Sequence, residues 1–225
     1  MPAGTLLLST LLAYLIGSIP AGILVCKPLG KDPRRVGSGR TGGTNVYRTA
    51  GAAAGLLTVL GDVLKGSASV WLARALVPAV GDAQGLAVAL AALAAILGHN
   101  HSIYIGFRGG AGSTPNIGAL LVVFPLAFLP AALLAGGVWK RVRIASVASL
   151  TLSMTILLAM LWRVWSGDGS PWLLLYGLGQ LALVAWALWP NIARLLAGNE
   201  IRVDPSGDAN ADDEATAAAV SNDEA

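Results

Sequence analysis

Residues 37–51, GSGRTGGTNVYRTAG, combine glycine with hydroxyl, amide and guanidinium groups in one short polar segment. Glycine leaves backbone N–H groups accessible, so a run of glycines can fold around an anion. Arg40 and Arg48 add charge and the bidentate geometry that suits a phosphate group. Neutral donors are added by Ser38, Thr41, Thr44 and Asn45. The segment predicts a phosphate-binding loop, and a flexible basic loop that contacts lipid headgroups is the alternative.

A second segment, residues 98–114 (GHNHSIYIGFRGGAGST), has a similar composition. Arg108 supplies its charge, and hydroxyl groups follow at Ser113 and Thr114. The glycines between them are Gly109, Gly110 and Gly112. This pattern indicates a second anion-binding loop, although a tight turn followed by a helix cap at Ser113 or Thr114 would also explain it.

Charged and titratable residues within the apolar stretches form another group. Asp62 and Lys65 are three residues apart, so their side chains can meet on a helix. Burying charged groups in an apolar segment costs free energy, so such groups indicate a functional role by default. An ion pair that fixes helix packing is an equal alternative. His99 and His101 are the only histidines, and we expect a capping or hydrogen-bonding role for at least one of them. No cysteine–histidine cluster predicts a metal site.

The composition requires a membrane around these segments. Of the 225 residues, 55% are apolar and only 12% are charged, and the mean hydropathy is +0.68. A soluble domain of this size could not bury so much apolar surface, so lipid must cover part of it. A single cysteine, Cys26, excludes an internal disulfide. We therefore predict an all-α integral membrane protein.

The distribution of basic residues predicts how the chain crosses the membrane. The positive-inside rule places the N-terminus outside, the C-terminus in the cytoplasm and every basic cluster on the cytoplasmic face. The stretch 117–138 must then leave and return, and Pro125 and Pro130 predict two short helices joined near these residues. The result is about seven transmembrane helices. The two glycine-rich segments and a third polar segment, 190–198 (PNIARLLAG), should meet on the cytoplasmic face.

The C-terminal end differs in composition from the membrane body. Residues 1–198 hold fourteen basic and four acidic residues, a net charge of +10, whereas residues 199–225 hold one arginine and eight acids, a net charge of −7. We predict one membrane domain over residues 1–200 and an acidic tail over 201–225, disordered from about Val203 and without chemistry.

Residues 5–200 resemble the bacterial acyl-phosphate-dependent glycerol-3-phosphate acyltransferases. The motifs that carry the resemblance are the glycine-rich residues 37–48, Asp62-x-x-Lys65-Gly66, Gly98-His99-Asn100 leading into Gly109-Gly110-x-Gly112, and Asn191-Ile192 before Arg194-Leu195. Each motif is weak by itself, but their order and spacing make the match specific.

The resemblance implies a multi-pass protein of the bacterial inner membrane, with short broken helices and a cytoplasmic active site. It implies transfer of a fatty acyl group from acyl phosphate to the 1-hydroxyl of glycerol 3-phosphate, which yields lysophosphatidic acid and inorganic phosphate. The implied partners are these two substrates and membrane lipids, with no nucleic acid, metal or cofactor. The oligomeric state stays open.

Roles for individual residues also follow from the resemblance. Ser38 and Arg48 match positions that hold glycerol phosphate, and Thr44 and Asn45 match the acyl-phosphate site. With Asn191, Thr44 and Asn45 form the catalytic set. The predicted substrate-binding set is Ser38, Gly39, Arg48, Arg108, Gly109, Gly110 and Gly112. The predicted supporting residues are Asp62, Lys65 and His99.

The chain departs from the family pattern at two positions that bear on catalysis. The resemblance implies a phosphate-binding lysine where Ala111 stands and a histidine where Leu188 stands. Arg40 and His101 are candidates to compensate for the lost groups. A second hypothesis therefore remains beside the enzyme, namely a divergent relative that binds a phospholipid or phosphate metabolite or regulates a true acyltransferase.

Overall fold

The computed structural model describes residues 3–80 and 82–203, and this part of the chain is helical throughout, without a strand. Short 3₁₀ turns lie at Lys27–Leu29, Pro33–Arg35 and Ile103–Ile105. The α-helices are α1 (Ala3–Ser18), α2 (Ala21–Cys26), α3 (Gly43–Ala50), α4 (Ala52–Leu76), α5 (Ala83–Asn100), α6 (Ser113–Val123), α7 (Pro125–Val142), α8 (Ala145–Trp165), α9 (Leu173–Ala187) and α10 (Trp189–Leu196). The predicted all-α architecture is confirmed.

Several helices are long and apolar enough to cross a membrane. In the described residues, four such segments occur, at Ala3–Leu29, Ala52–Leu76, Ala83–Ile105 and Ala145–Trp165. A fifth arises if α9 and α10, which are bent by 66°, count as one broken span. Large apolar side chains such as Leu64 and Leu126, exposed by 68% and 82%, project from the bundle where lipid can cover them. The protein is a multi-pass integral membrane protein.

Helices α6 and α7 form the predicted reversal. Thr114 at the start of α6 and Ala145 just after α7 line one cavity, whereas Val123 at the end of α6 lines another with Arg74 and Arg163. The chain therefore runs away from the first cavity and returns to it. The break lies at Phe124-Pro125 alone, and Pro130 sits inside α7 without ending it. The two helices of 11 and 18 residues extend beyond the predicted limits of 117 and 138. With this pair, the count of about seven is confirmed.

Glycines let the helices approach one another at their backbones. A Cβ atom added at Gly66 would lie 2.0 Å from the carbonyl oxygen of Pro115, and one added at Gly118 would lie 2.0 Å from that of Val63. Small residues allow such close crossings where lipid offers no competing hydrophobic drive. The crossing sets α4 directly against α6 and brings the Asp62 side chain within reach of the α6 N-terminus.

A polar network joins α6, α8 and α9 within the apolar bundle. The Asn116 amide donates to Gln180 Oε1 over 2.5 Å and accepts from the Tyr176 hydroxyl over 2.6 Å. Gln180 Nε2 in turn donates to the Ser153 carbonyl oxygen over 2.7 Å. Asn116, Tyr176 and Gln180 are completely buried. Because each buried polar group has a partner, the network fixes the helix positions without leaving an unsatisfied amide.

Candidate functional site

The three polar segments meet around one cavity of about 130 Å³. A single water needs roughly 10–15 Å³ in this measure, so the space can hold a small ligand. The cavity lining includes Ser38, Arg40, Thr44, Asn45, Arg48, His99, Ala111, Gly112, Ser146, Ser149, Leu188, Asn191 and Glu200. The convergence predicted from the topology is therefore present, and we call this space the main cavity.

The glycine-rich loop before α3 is organised around the Asn45 side chain. Asn45 Nδ2 lies 2.7 Å from the Pro33 carbonyl oxygen, 3.0 Å from that of Val36 and 2.8 Å from that of Arg40. Its Oδ1 accepts the Ser38 N–H over 3.1 Å. Both ends of the amide are thus occupied by the loop backbone, and Asn45 is only 3% exposed. Asn45 shapes the loop that presents the neighbouring hydroxyls.

Gly109 and Gly110 pack against the end of α5. A Cβ atom at Gly109 would lie 2.0 Å from the His99 carbonyl oxygen, and one at Gly110 would lie 2.0 Å from His99 Nε2. The Gly110 N–H donates to the same carbonyl over 3.0 Å. This N–H group is therefore not open to an anion, contrary to the prediction of a glycine cradle at this position. The glycines are needed here for close approach.

Gly110→Ala is expected to push the second segment off His99 and to lower the free energy of unfolding by about 1–3 kcal/mol. Thermal unfolding in detergent measures this change. Gly136→Ala is the matched control, because a Cβ atom at Gly136 has no neighbour within 4 Å. Equal melting temperatures for the two variants would show that close packing does not explain Gly110.

The predicted substrate-binding residues divide between two neighbouring spaces. Arg108, Gly109 and Gly110 line a second cavity together with Gly39, while Ser38 lines both cavities. His101 also lines the second cavity, and its ring stacks on the Trp186 ring with centroids 4.8 Å apart. His101 therefore does not lie beside Ala111 in the main cavity, as the compensation hypothesis would require.

The predicted supporting residues form a buried charged cluster beside the main cavity. Asp62 Oδ1 lies 2.8 Å from Lys65 Nζ and 3.4 Å from His99 Nδ1. Asp62 Oδ2 accepts from the Thr114 hydroxyl over 3.2 Å, and Lys65 Nζ donates to the Ile19 carbonyl oxygen over 2.8 Å. The cluster joins α4, α5, α6 and the α1–α2 junction. It holds the first turn of α6 against α4 at the cavity wall.

Asn191 enters the main cavity because α9 and α10 bend at Leu188. Leu188 is 3% exposed and lines the cavity, as does Ala111, so both departures from the family pattern lie at this site. Asn191 Oδ1 accepts from the Arg40 guanidinium over 3.1 Å. Its Nδ2 donates to Glu200 Oε1 over 2.7 Å. The side chain of Asn191 therefore links the first loop to the residues after α10.

Glu200 is a cavity residue that the sequence analysis did not identify. Its side chain is 4% exposed and its carboxylate accepts from Asn191, from the Ser146 hydroxyl over 2.9 Å and from Arg194 Nε over 2.9 Å. Glu200 is the last residue of the predicted membrane domain and counts among the eight acids of residues 199–225, and no sequence signal marks it as a site residue. Its burial depends on tertiary contacts with α8 and α10.

The residues just after Glu200 also pack on the membrane body. The Val203 N–H donates to the Arg143 carbonyl oxygen over 2.8 Å, and Val203 is 3% exposed. Residues 201–203 therefore cover the junction of α7 and α8, beyond the predicted domain limit of 200. The rest of the predicted acidic tail lies outside the described residues.

A family model described as glycerol-3-phosphate acyltransferase matches residues 7–198. The chain belongs to this family. Among curated glycerol-3-phosphate acyltransferases, that of Bordetella pertussis is 41% identical over 199 residues, covering 85% of this chain and 89% of the relative. That of Geobacter sulfurreducens is 39% identical over 199 residues, covering 87% of this chain and 96% of the relative.

Solved structures of an integral membrane glycerol 3-phosphate acyltransferase, PlsY, share the fold. Its glycerol 3-phosphate form superposes with a TM-score of 0.78 at 32% identity, covering 88% of this chain and 96% of PlsY. Its lysophosphatidic acid form superposes with a TM-score of 0.77 at 31% identity. This chain therefore has the fold of the glycerol-3-phosphate acyltransferase family to which it belongs.

Proposed function

We propose that the chain transfers a fatty acyl group from acyl phosphate to the 1-hydroxyl of glycerol 3-phosphate, a step of phospholipid synthesis. Family membership along residues 7–198 and the basic cavity between the three polar segments support this activity. Both substrates carry phosphate, and one carries an alkyl chain that requires access from the bilayer. A cavity on a cationic face of a membrane protein suits such a pair.

The reaction needs one bond to form and one to break. The 1-hydroxyl oxygen attacks the acyl carbonyl carbon, the bond from this carbon to the phosphate oxygen breaks, and inorganic phosphate leaves with the hydroxyl proton. Because phosphate is a good leaving group and can itself accept the proton, the protein mainly has to position the substrates and neutralise charge. No serine nucleophile is assigned.

The proposed binding roles depend on the position of the Ser38 and Thr44 hydroxyls at the main cavity. Both side chains line the main cavity, and neither hydroxyl makes a hydrogen bond within the described part of the chain. Ser38 with Arg48 would hold glycerol phosphate, and Thr44 would donate to the acyl phosphate. Asn45 holds the loop in shape, and Asn191 orders the third wall. Asp62, Lys65 and His99 support the site from beside it.

The enzyme would work in the bacterial inner membrane with its cavity towards the cytoplasm. The basic residues near the main cavity, including Arg40, Arg48 and Arg194, support this orientation under the positive-inside rule. The N-terminus would lie outside and the C-terminus in the cytoplasm. The alternative of an inactive phosphate-binding relative draws on the changes at Ala111 and Leu188, and none of the relatives found favours it.

The purified full-length protein, given palmitoyl phosphate and glycerol 3-phosphate in detergent or lipid vesicles, is expected to release phosphate and form lysophosphatidic acid in equal amounts. Omitting glycerol 3-phosphate controls for simple hydrolysis of the donor, and the Bordetella pertussis relative is the positive control. No lysophosphatidic acid from this chain, in a preparation where the relative is active, would contradict the proposal and favour the binding alternative.

A further inference from the structure

Arg40 links all three polar segments at the main cavity. Its Nη1 donates to the Gly110 carbonyl oxygen over 3.4 Å, in the second segment. Its Nη2 donates to Asn191 Oδ1 over 3.1 Å and to the Ala187 carbonyl oxygen, in and before the third segment. A guanidinium on the first loop is therefore held in place by groups that are far apart in the chain.

No carboxylate of the described residues contacts Arg40 directly, and the nearby Glu200 acts on its charge from the far side of the Asn191 amide. Within residues 3–80 and 82–203, no acidic side chain forms an ion pair with Arg40, and each of its acceptors is a neutral amide oxygen. Arg34, Lys65 and Arg194, in contrast, each have a carboxylate oxygen within 2.9 Å. A half-buried cation without a carboxylate in direct contact favours an anion beside it.

Arg40 remains charged at neutral pH in this position. Burial lowers the pKa of its guanidinium, nearby Arg194 lowers it further, and Glu200 raises it. The guanidinium of an arginine nevertheless keeps its proton at neutral pH in proteins. The cavity therefore contains a permanent positive charge from this residue.

Arg40 retains N–H groups that can donate to a ligand. A guanidinium has five N–H groups, and the three hydrogen bonds above use three of them. Nε has no hydrogen-bond partner within the described residues, and it is not sealed away from solvent. The side chain lines both the main and the second cavity. An anion in either space can reach it.

We infer that Arg40 is a phosphate-binding residue, held by Gly110, Ala187 and Asn191 so that its unused N–H groups meet a substrate phosphate. The ligand class is a phosphate monoester or an acyl phosphate, and naming these substrates rests on the proposed function. Bound phosphate would also draw the three segments together, because Arg40 is attached to each of them.

The test is calorimetric titration of inorganic phosphate and, separately, glycerol 3-phosphate into the purified full-length protein. Arg40→Ala and Arg40→Gln are expected to weaken binding about tenfold to a hundredfold, because a charge-assisted hydrogen bond is lost. The Gln variant retains donors for the neighbouring carbonyls and so tests charge if the Ala variant fails to fold. The matched control is Arg35→Ala on the same loop, whose side chain is 86% exposed and outside both cavities.

The two titrants separate the possible sources of the phosphate. Weaker binding of glycerol 3-phosphate alone assigns Arg40 to the acceptor, whereas weaker binding of both ligands assigns it to a phosphate position shared with the donor. Unchanged affinity for both ligands in folded Arg40→Gln would overturn the inference. An inactive wild type that still binds phosphate through Arg40 would contradict the proposed function alone, and an active enzyme indifferent to Arg40 would contradict this inference alone.

Discussion

Asp62→Ala is expected to lower the free energy of unfolding by about 3–5 kcal/mol, because it leaves the buried ammonium of Lys65 without its carboxylate. Lys65 is only 6% exposed and cannot turn to water without leaving the Ile19 carbonyl oxygen. The Thr114 hydroxyl also loses its acceptor at the start of α6. Thermal unfolding in detergent should show a fall in melting temperature on the order of 10 °C.

The double variant Asp62→Leu with Lys65→Leu distinguishes the effect of an unpaired charge on stability from the effect of a lost contact. Replacing both members of a buried ion pair by apolar residues is often neutral, so the double variant should be more stable than Asp62→Ala. Its activity should nevertheless fall, because Thr114 at the cavity wall is no longer held. A double variant that is less stable than the single one would show that the pair does not act as proposed.

Asn45→Ala is expected to reduce activity at least about a hundredfold, which corresponds to about 2.7 kcal/mol of transition-state stabilisation. The change removes every hydrogen bond of the side chain to the loop, so the Pro33 and Arg40 carbonyl oxygens and the Ser38 N–H lose this partner, whereas the Val36 carbonyl oxygen still accepts from the Gly39 N–H. Each unsatisfied buried group costs about 1–3 kcal/mol, so the loop should relax to another shape. Steady-state assays of lysophosphatidic acid formation measure the loss.

The control for Asn45 is Thr49→Val, one turn further along α3. The Thr49 hydroxyl donates only to the Asn45 carbonyl oxygen over 2.8 Å, a bond within the helix that leaves the loop unaltered. This variant should keep most of the activity at a similar stability. Comparable losses in the two variants would mean that α3 as a whole, and not the Asn45 amide, determines the loop.

The membrane-embedded, helical character of the chain was largely predictable from the amino-acid order. Long apolar runs must lie in lipid, and the basic clusters require an even number of crossings between them, so the approximate helix count and the reversal within 117–138 followed from the sequence alone. The exact position of the break between α6 and α7 could not be predicted from the sequence. Pro125 begins α7, where its missing N–H has no cost, whereas Pro130 is tolerated within the same helix.

The residue types around the cavity were also visible in the sequence, but their partners were not. Asp62 and Lys65 were paired correctly because they are three residues apart on one helix, and helix geometry alone brings them together. Arg40 and Asn191 are separated by 151 positions, and no local rule connects them. The same is true of Gly110 against His99, where packing and not anion binding requires the glycine.

The sequence alone therefore determined that this protein lies in a membrane, about how many helices it has there and which polar segments gather around one cavity. These properties depend on hydropathy and charge, which act over whole segments. Only the tertiary structure decided that Arg40 bridges the three segments, that Asn45 is occupied by its own loop and that Glu200 is buried beside Asn191. Those contacts join residues that are distant along the chain, and hydrogen-bond geometry within about 3 Å decides them.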